Sequence, residues 1–93
     1  MIRTFADKAT GALFEGFSVR SLPRHIQASA YRKLLMLNAA ASASDLLAPP
    51  GTRLEALQGK RSGQWSIRIN HQWRICFYFV GEDVLNVEIT DYH

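Results

Sequence analysis

Cysteine is almost missing from this chain: Cys76 stands alone, which excludes an internal disulfide. No run of about 18 apolar residues occurs, which excludes a helix able to cross a membrane. The opening Met-Ile-Arg-Thr-Phe-Ala-Asp-Lys lacks the apolar stretch of a signal peptide, so a cytoplasmic location is expected. No Cys/His pair has zinc spacing, and the acids form no obvious metal site. The glycine-flanked stretch Gly59-Lys60-Arg61-Ser62-Gly63 is not a phosphate loop of the P-loop type. No metal and no cofactor is therefore expected. Internal repeats and low-complexity tracts are missing too. The 93 residues suffice for one domain, expected to span 1–93. A domain of that size buries about 60% or slightly more of its unfolded surface, leaving little room for an internal cofactor.

What is present is an ordinary globular composition, 47% hydrophobic and 20% charged, which argues against disorder. The balance is basic: 11 Lys+Arg against 8 Asp+Glu, a net charge of +3. Eight of the 11 cations are arginine, the side chain suited to bidentate phosphate contact. The charge is also uneven. Residues 20–33 hold Arg20, Arg24, Arg32 and Lys33 without an acid, and residues 53–74 hold five cations against Glu55 alone. The acids gather late, as Glu82, Asp83, Glu88 and Asp91. Nucleic acid is the partner class this pattern favours.

The order of elements reads as helical, then β. Met1 to Phe5 predicts a short strand, and Asp7 is a helix N-cap for one or two turns ending before Gly16. Pro23 marks the start of a longer helix, from Arg24 to about Ala41, free of glycine and proline. Ile26, Ala30, Leu34, Leu37 and Ala41 form its apolar stripe, and Arg24, Gln27, Arg32 and Lys33 fall largely off it. Ser42 to Asp45 closes the helix, and Pro49-Pro50-Gly51 forces a turn. Thr52 to Leu57 predicts a strand, with a turn over Gly59 to Gly63. Trp65-Ile69, Trp73-Val80 and a strand through Leu85, Val87 and Ile89 alternate apolar with polar, joined by Asn70-His71-Gln72 and Gly81-Glu82-Asp83. Three such strands with short turns make an antiparallel meander, with the long helix as cover.

Period-two parity then sorts the faces. With Trp65, Ile67, Trp73, Ile75, Phe77 and Phe79 under the helix, the other face carries Arg68, Arg74, Cys76, Tyr78 and Glu88, with Tyr92 in the same parity as Glu88. Arginine neutralises charge developing on phosphorus, histidine and tyrosine move protons, and tyrosine stacks on bases. RNA supplies its own nucleophile in the 2′-OH, so such a face can cleave it without a metal. Each residue also has a plainer reading. Lone arginines on an open sheet are commonly just solvated, tyrosines pack with a wet hydroxyl, and Cys76 fills a strand. His93 is terminal, and His25 and His71 read as surface residues at a helix start and a turn.

Several segments together carry a likeness. They are Arg53-Leu54-Glu55-Ala56-Leu57-Gln58-Gly59, Gly63-Gln64-Trp65-Ser66-Ile67-Arg68-Ile69, Gln72-Trp73-Arg74-Ile75-Cys76-Phe77, and the end Val87-Glu88-Ile89-Thr90-Asp91-Tyr92-His93. Over essentially its whole length the chain resembles the HigB family of toxins within the RelE/ParE superfamily. It is nearest the GraT-like branch, which shares the Pro-Pro-Gly turn and the Arg-Leu-Glu-Ala-Leu stretch. The resemblance implies an α+β fold, two N-terminal helices packed on a small twisted antiparallel β-sheet. It implies a ribosome-dependent mRNA endonuclease acting in the A site. It also implies a HigA-like helix-turn-helix antitoxin and autorepression by the pair on operator DNA. By the same resemblance, Arg74 is the arginine at the scissile phosphate, and Tyr92, His93 and Asp91 are the C-terminal residues required for cleavage. Where many relatives have His-Pro-Leu-Lys-Gly, this chain has Glu55-Ala56-Leu57-Gln58-Gly59. Glu55 replaces a histidine and is able to act as base, whereas Gln58 replaces a lysine and carries no charge. Arg53, Lys60 and Arg61 are candidates to supply the missing cation, with Arg68 as a further RNA contact. Two other readings stand beside this one: a ParE-like gyrase inhibitor, against which the Asp-Tyr-His end argues, and a nucleic-acid-binding module without chemistry.

Overall fold

The computed structural model describes residues 1–47 and 51–91, so the Pro49-Pro50 part of the predicted turn and the Tyr92-His93 end lie outside the described residues. The elements run α1 (Lys8–Phe14), α2 (Arg24–Ala39), β1 (Glu55–Ala56), β2 (Trp65–Arg68), β3 (Trp73–Val80) and β4 (Asp83–Asp91). The strands form one sheet in the order β1-β2-β3-β4, antiparallel throughout. Among the described residues no helix is long and apolar enough to cross a membrane.

Local chemistry explains the helix boundaries. The Asp7 carboxylate accepts from the Thr10 amide at 2.7 Å and caps α1. The hydroxyl of Thr10 donates to Asp7 and accepts from the Ile89 amide at 3.1 Å, so the cap also ties α1 to β4. In α2 the stripe of Ile26, Ala30, Leu34 and Leu37 is buried as its spacing requires. The stripe ends differently from expectation. The helix stops at Ala39, and extended Ala40 is buried while Ala41 is exposed. This stripe packs with Ile67, Ile75, Phe77, Val84, Val87 and Ile89, and Trp65, Trp73 and Phe79 lie half-buried around it. Each aliphatic side chain removed from water there contributes about 1.5–3 kcal/mol.

Three expectations change. The opening segment makes no full strand, but its backbone bonds to β4 in parallel through bridges at Ile2–Val84 and Phe5–Val87. Of the strand expected over Thr52 to Leu57, only Glu55–Ala56 forms a regular ladder with β2; Arg53 takes a left-handed backbone (φ +46°) that interrupts it, and the Thr52 carbonyl beyond still accepts from the Arg68 amide at 2.6 Å. In β4 the apolar alternation does not run unbroken from Leu85. Cys76 faces Glu88 and Tyr78 faces Leu85, so β4 holds one extra residue there. Asn86, at φ +53°, absorbs it. Val84 and Val87 therefore share the buried face, and Leu85 turns to the side of Tyr78. Hairpin geometry is as the turn residues demand. Gly81 takes φ +64° between Val80 and Asp83, and the Asn70 side chain accepts from the amides of Gln72 and Trp73, both at 2.8 Å.

Candidate functional site

The sheet face away from the helices is not the open surface that parity alone suggests. The segment after β1 folds back so that Arg61 reaches Glu88 on β4, and Ser66, Cys76 and Leu57 are buried without belonging to the helix-side core. Burial pushes the Cys76 thiol above its ordinary titration range, with the Thr90 side chain, Arg61 and Arg74 opposing the rise and Glu88 adding to it. A buried, protonated thiol is a packing group rather than a nucleophile.

Arg74 is the exception on this face, a cation only 7% exposed. Its Nε donates to Ser66 Oγ at 2.7 Å, and its Nη2 donates to the Arg53 carbonyl at 2.6 Å. The Glu55 carboxylate lies 3.6 Å from Nη2. The sequence accounts for each partner. Ser66 follows Trp65 in β2 and therefore points to the face opposite the core, and Glu55 is its register partner in β1. Arg53 delivers its carbonyl from the same left-handed residue that interrupts the strand. Non-glycine residues in that conformation collect at functional sites.

Arg74 also lines a cleft of about 260 Å³ together with Arg53, Glu55, Arg68, Asn70 and His71. Arg68 and Arg74 sit directly opposite each other across β2 and β3. Like charges in that relation repel, and an anion bound between them relieves the repulsion. Three guanidinium groups against one carboxylate leave the cleft with an excess of positive charge, the chemistry that suits an anion.

The cleft thus brings together four of the residues expected from sequence: Arg74, Glu55, Arg53 and Arg68. Others lie elsewhere. Arg61 is paired with Glu88 at 3.1 Å and bonded to Gln64 at 3.0 Å, and it does not line the cleft. Gln58 and Lys60 are exposed beside it, outside the lining. Asp91 ends β4 opposite Trp73, its carboxylate within 3.3 Å of the Gln72 amide nitrogen, and it too is outside the lining. Tyr92 and His93 lie outside the described residues. Sequence reasoning passed over His71, read as a surface turn residue. The missed signal was its place midway between Arg68 and Arg74. A hairpin that aims both arginines at one face leaves its turn at the edge of that face.

A larger hollow of about 650 Å³ opens near the start of α2, lined by Ser18, Val19, Arg20, Leu22, Arg24 and Gln27. It holds no carboxylate and no imidazole, so the smaller cleft is the one equipped for proton transfer. Among the described residues no group of three or more His, Cys, Asp or Glu side chains is gathered to hold a metal ion.

The family model described as "RelE-like toxin of type II toxin-antitoxin system HigB" matches residues 3–93. The chain belongs to the HigB-like toxin family. Toxin HigB-1 of Vibrio cholerae is 45% identical over 67 residues, covering 72% of this chain and 70% of that protein. Endoribonuclease HigB of Proteus vulgaris is 30% identical over the whole of both chains. The fold agrees with this membership. A chain of the YoeB–YefM toxin–antitoxin complex from Staphylococcus aureus superposes with a TM-score of 0.60, covering 100% of this chain and 98% of that one. At 16% identity that likeness speaks for the α+β RelE-like architecture alone.

Proposed function

We propose that this HigB-family toxin is an endoribonuclease that cuts mRNA in the ribosomal A site without a metal ion, in the cytoplasm. It is held inactive by a HigA-like helix-turn-helix antitoxin that also carries the pair to operator DNA. The observation that carries the reading is the near-buried Arg74 opening onto a cleft with Arg53, Arg68 and Glu55. Family membership supports an antitoxin partner, and the Proteus vulgaris relative is named an endoribonuclease.

In this reading Arg74 stabilises charge building on the scissile phosphate, held ready by Ser66 and the Arg53 carbonyl. Arg53 and Arg68 bind the flanking backbone, and Arg53 supplies the cation that Gln58 lacks. Glu55, near Arg74, is the base for the 2′-OH. Lys60 and Arg61, outside the cleft, contact more distant phosphates. Gln58 contributes a neutral contact beside them. Asp91 anchors the end of β4, and Tyr92 and His93 follow it to stack on a base and stabilise the reacting groups. The ribosome orients the strand, so the purified chain cuts free RNA slowly.

The test is induced expression of the unaltered chain, Arg74→Ala and a form lacking His93, with transcript ends mapped. Rapid mRNA loss with new internal ends, reduced at least about 10²-fold by Arg74→Ala, is the expected result. Undiminished mRNA loss in either variant overturns the assignment of the altered residue. DNA-damage signalling with intact mRNA points instead to a gyrase inhibitor.

A further inference from the structure

We propose that His71 is the general acid of the cleft, the group that protonates the leaving 5′ oxygen as the RNA chain is cut. The proposal rests on the nuclease reading above and adds a catalytic residue to it. Among the described residues, six line the cleft. Three are arginines, which do not give up a proton in a protein. The Asn70 side-chain oxygen is committed to the turn, accepting from Gln72 and Trp73. Among the described residues that line the cleft, Glu55 and His71 remain to move protons. They come from different elements, Glu55 from β1 and His71 from the β2–β3 reversal, and both border the cleft that Arg74 enters.

The backbone holds His71 in place. Besides the Asn70 side-chain bonds, the amides of Ile69 and Asn70 donate to the Trp73 carbonyl at 2.8 and 3.2 Å. His71 sits on this reversal, exposed, and lines the cleft. The charged groups around it are Arg53, Arg68 and Arg74 on one side of the balance and Glu55 on the other. A bound phosphodiester brings negative charge among the three guanidinium groups.

The step balances. The Glu55 carboxylate accepts the 2′-hydroxyl proton as the 2′ oxygen forms a bond to phosphorus. The bond from phosphorus to the 5′ oxygen breaks, and the His71 imidazolium gives its proton to that oxygen. The products are a 2′,3′-cyclic phosphate and a 5′-hydroxyl end, with Glu55 protonated and His71 neutral until solvent resets both.

The experiment measures single-turnover cutting of mRNA positioned on ribosomes, from about pH 5 to 9, a span that covers histidine's change of charge. The unaltered chain, His71→Gln, Arg74→Ala and a form lacking His93 are compared. Two mRNAs are used, one ordinary and one with sulfur replacing the bridging 5′ oxygen at the cut. A thiolate leaves without protonation, so that substrate bypasses a missing acid. His71→Gln is expected to cut the ordinary mRNA about 10²-fold more slowly, to lose the alkaline fall in rate, and to recover on the sulfur substrate. Ribosome binding should not change. A normal rate and profile for His71→Gln, with Arg74→Ala inactive, overturns the His71 role and leaves the nuclease reading standing. A slow His71→Gln that sulfur does not rescue also overturns it, as does sulfur rescue confined to the form lacking His93. No cutting by the unaltered chain overturns the nuclease reading itself, and full cutting by Arg74→Ala overturns the Arg74 assignment.

Discussion

Arg74 and Cys76 occupy the same face of β3, two residues apart, and burial treats them in opposite ways. The guanidinium is accommodated there by oxygens of Ser66, Arg53 and Glu55. The thiol has a neutral form to retreat to, and burial holds it there. This makes a pH prediction. The folded chain binds the Cys76 proton more tightly than the unfolded chain, so this contribution to stability is complete below about pH 8.5, the ordinary thiol value, and is lost as pH rises through the higher folded value. Urea unfolding across that range should show stability falling more steeply for the unaltered chain than for Cys76→Ala. Identical slopes would show that the thiol does not titrate differently on folding. The basic residues on this face were legible from parity, but parity did not say that Arg74 would be covered. That depends on residues 52–64, whose return path has no period to read.

At the scale of elements, the decisive irregularities are two left-handed residues, Arg53 and Asn86. Asn86 lets β4 take an extra residue, so that Val84 and Val87 both face the core. Its amide donates to Thr4 Oγ1 at 2.8 Å, which couples the bulge to the N-terminal segment. Asparagine tolerates this conformation and a β-branched residue does not. Asn86→Val should destabilise the fold by about 1–2 kcal/mol, and Asn86→Gly by only a few tenths, read from urea midpoints. Equal stability of Asn86→Val and the unaltered chain would mean that the bulge is not held by this residue. The sequence shows Leu85, Val87 and Ile89 in strict alternation, and that pattern predicted an unbroken strand. Alternation is blind to a single inserted residue, because Val84 supplies an equally apolar side chain one position earlier. The α2 stripe and the β3 alternation were legible, since each repeats for several periods against one core.

For the molecule as a whole, a net charge of +3 is small, and placement matters more than total. Arg53, Arg68 and Arg74 converge on one cleft, while Arg3 and Arg61 are engaged by Asp83 and Glu88. Binding to a short single-stranded RNA should weaken with salt. Arg53→Ala or Arg68→Ala should each lower the slope of log affinity against log salt by about 0.7, as loss of one phosphate contact requires. Arg3→Ala should leave it unchanged. If the Arg3 variant shifts the slope as much as the other two, the cleft is not where the strand binds. The hollow at the start of α2 is larger, so size alone would misplace the site. The smaller one is proposed for its chemistry.

The linear order of residues was enough to establish the basic character, the two helices, the three long strands and the family likeness. These follow from composition and from short periods that local backbone geometry imposes. Only the folded chain decided which cations share a space. Arg53, Glu55, Arg68, His71 and Arg74 meet because a short edge strand pairs with β2 and a hairpin reverses between two arginines, and proximity of that kind depends on packing at a distance rather than on any local preference.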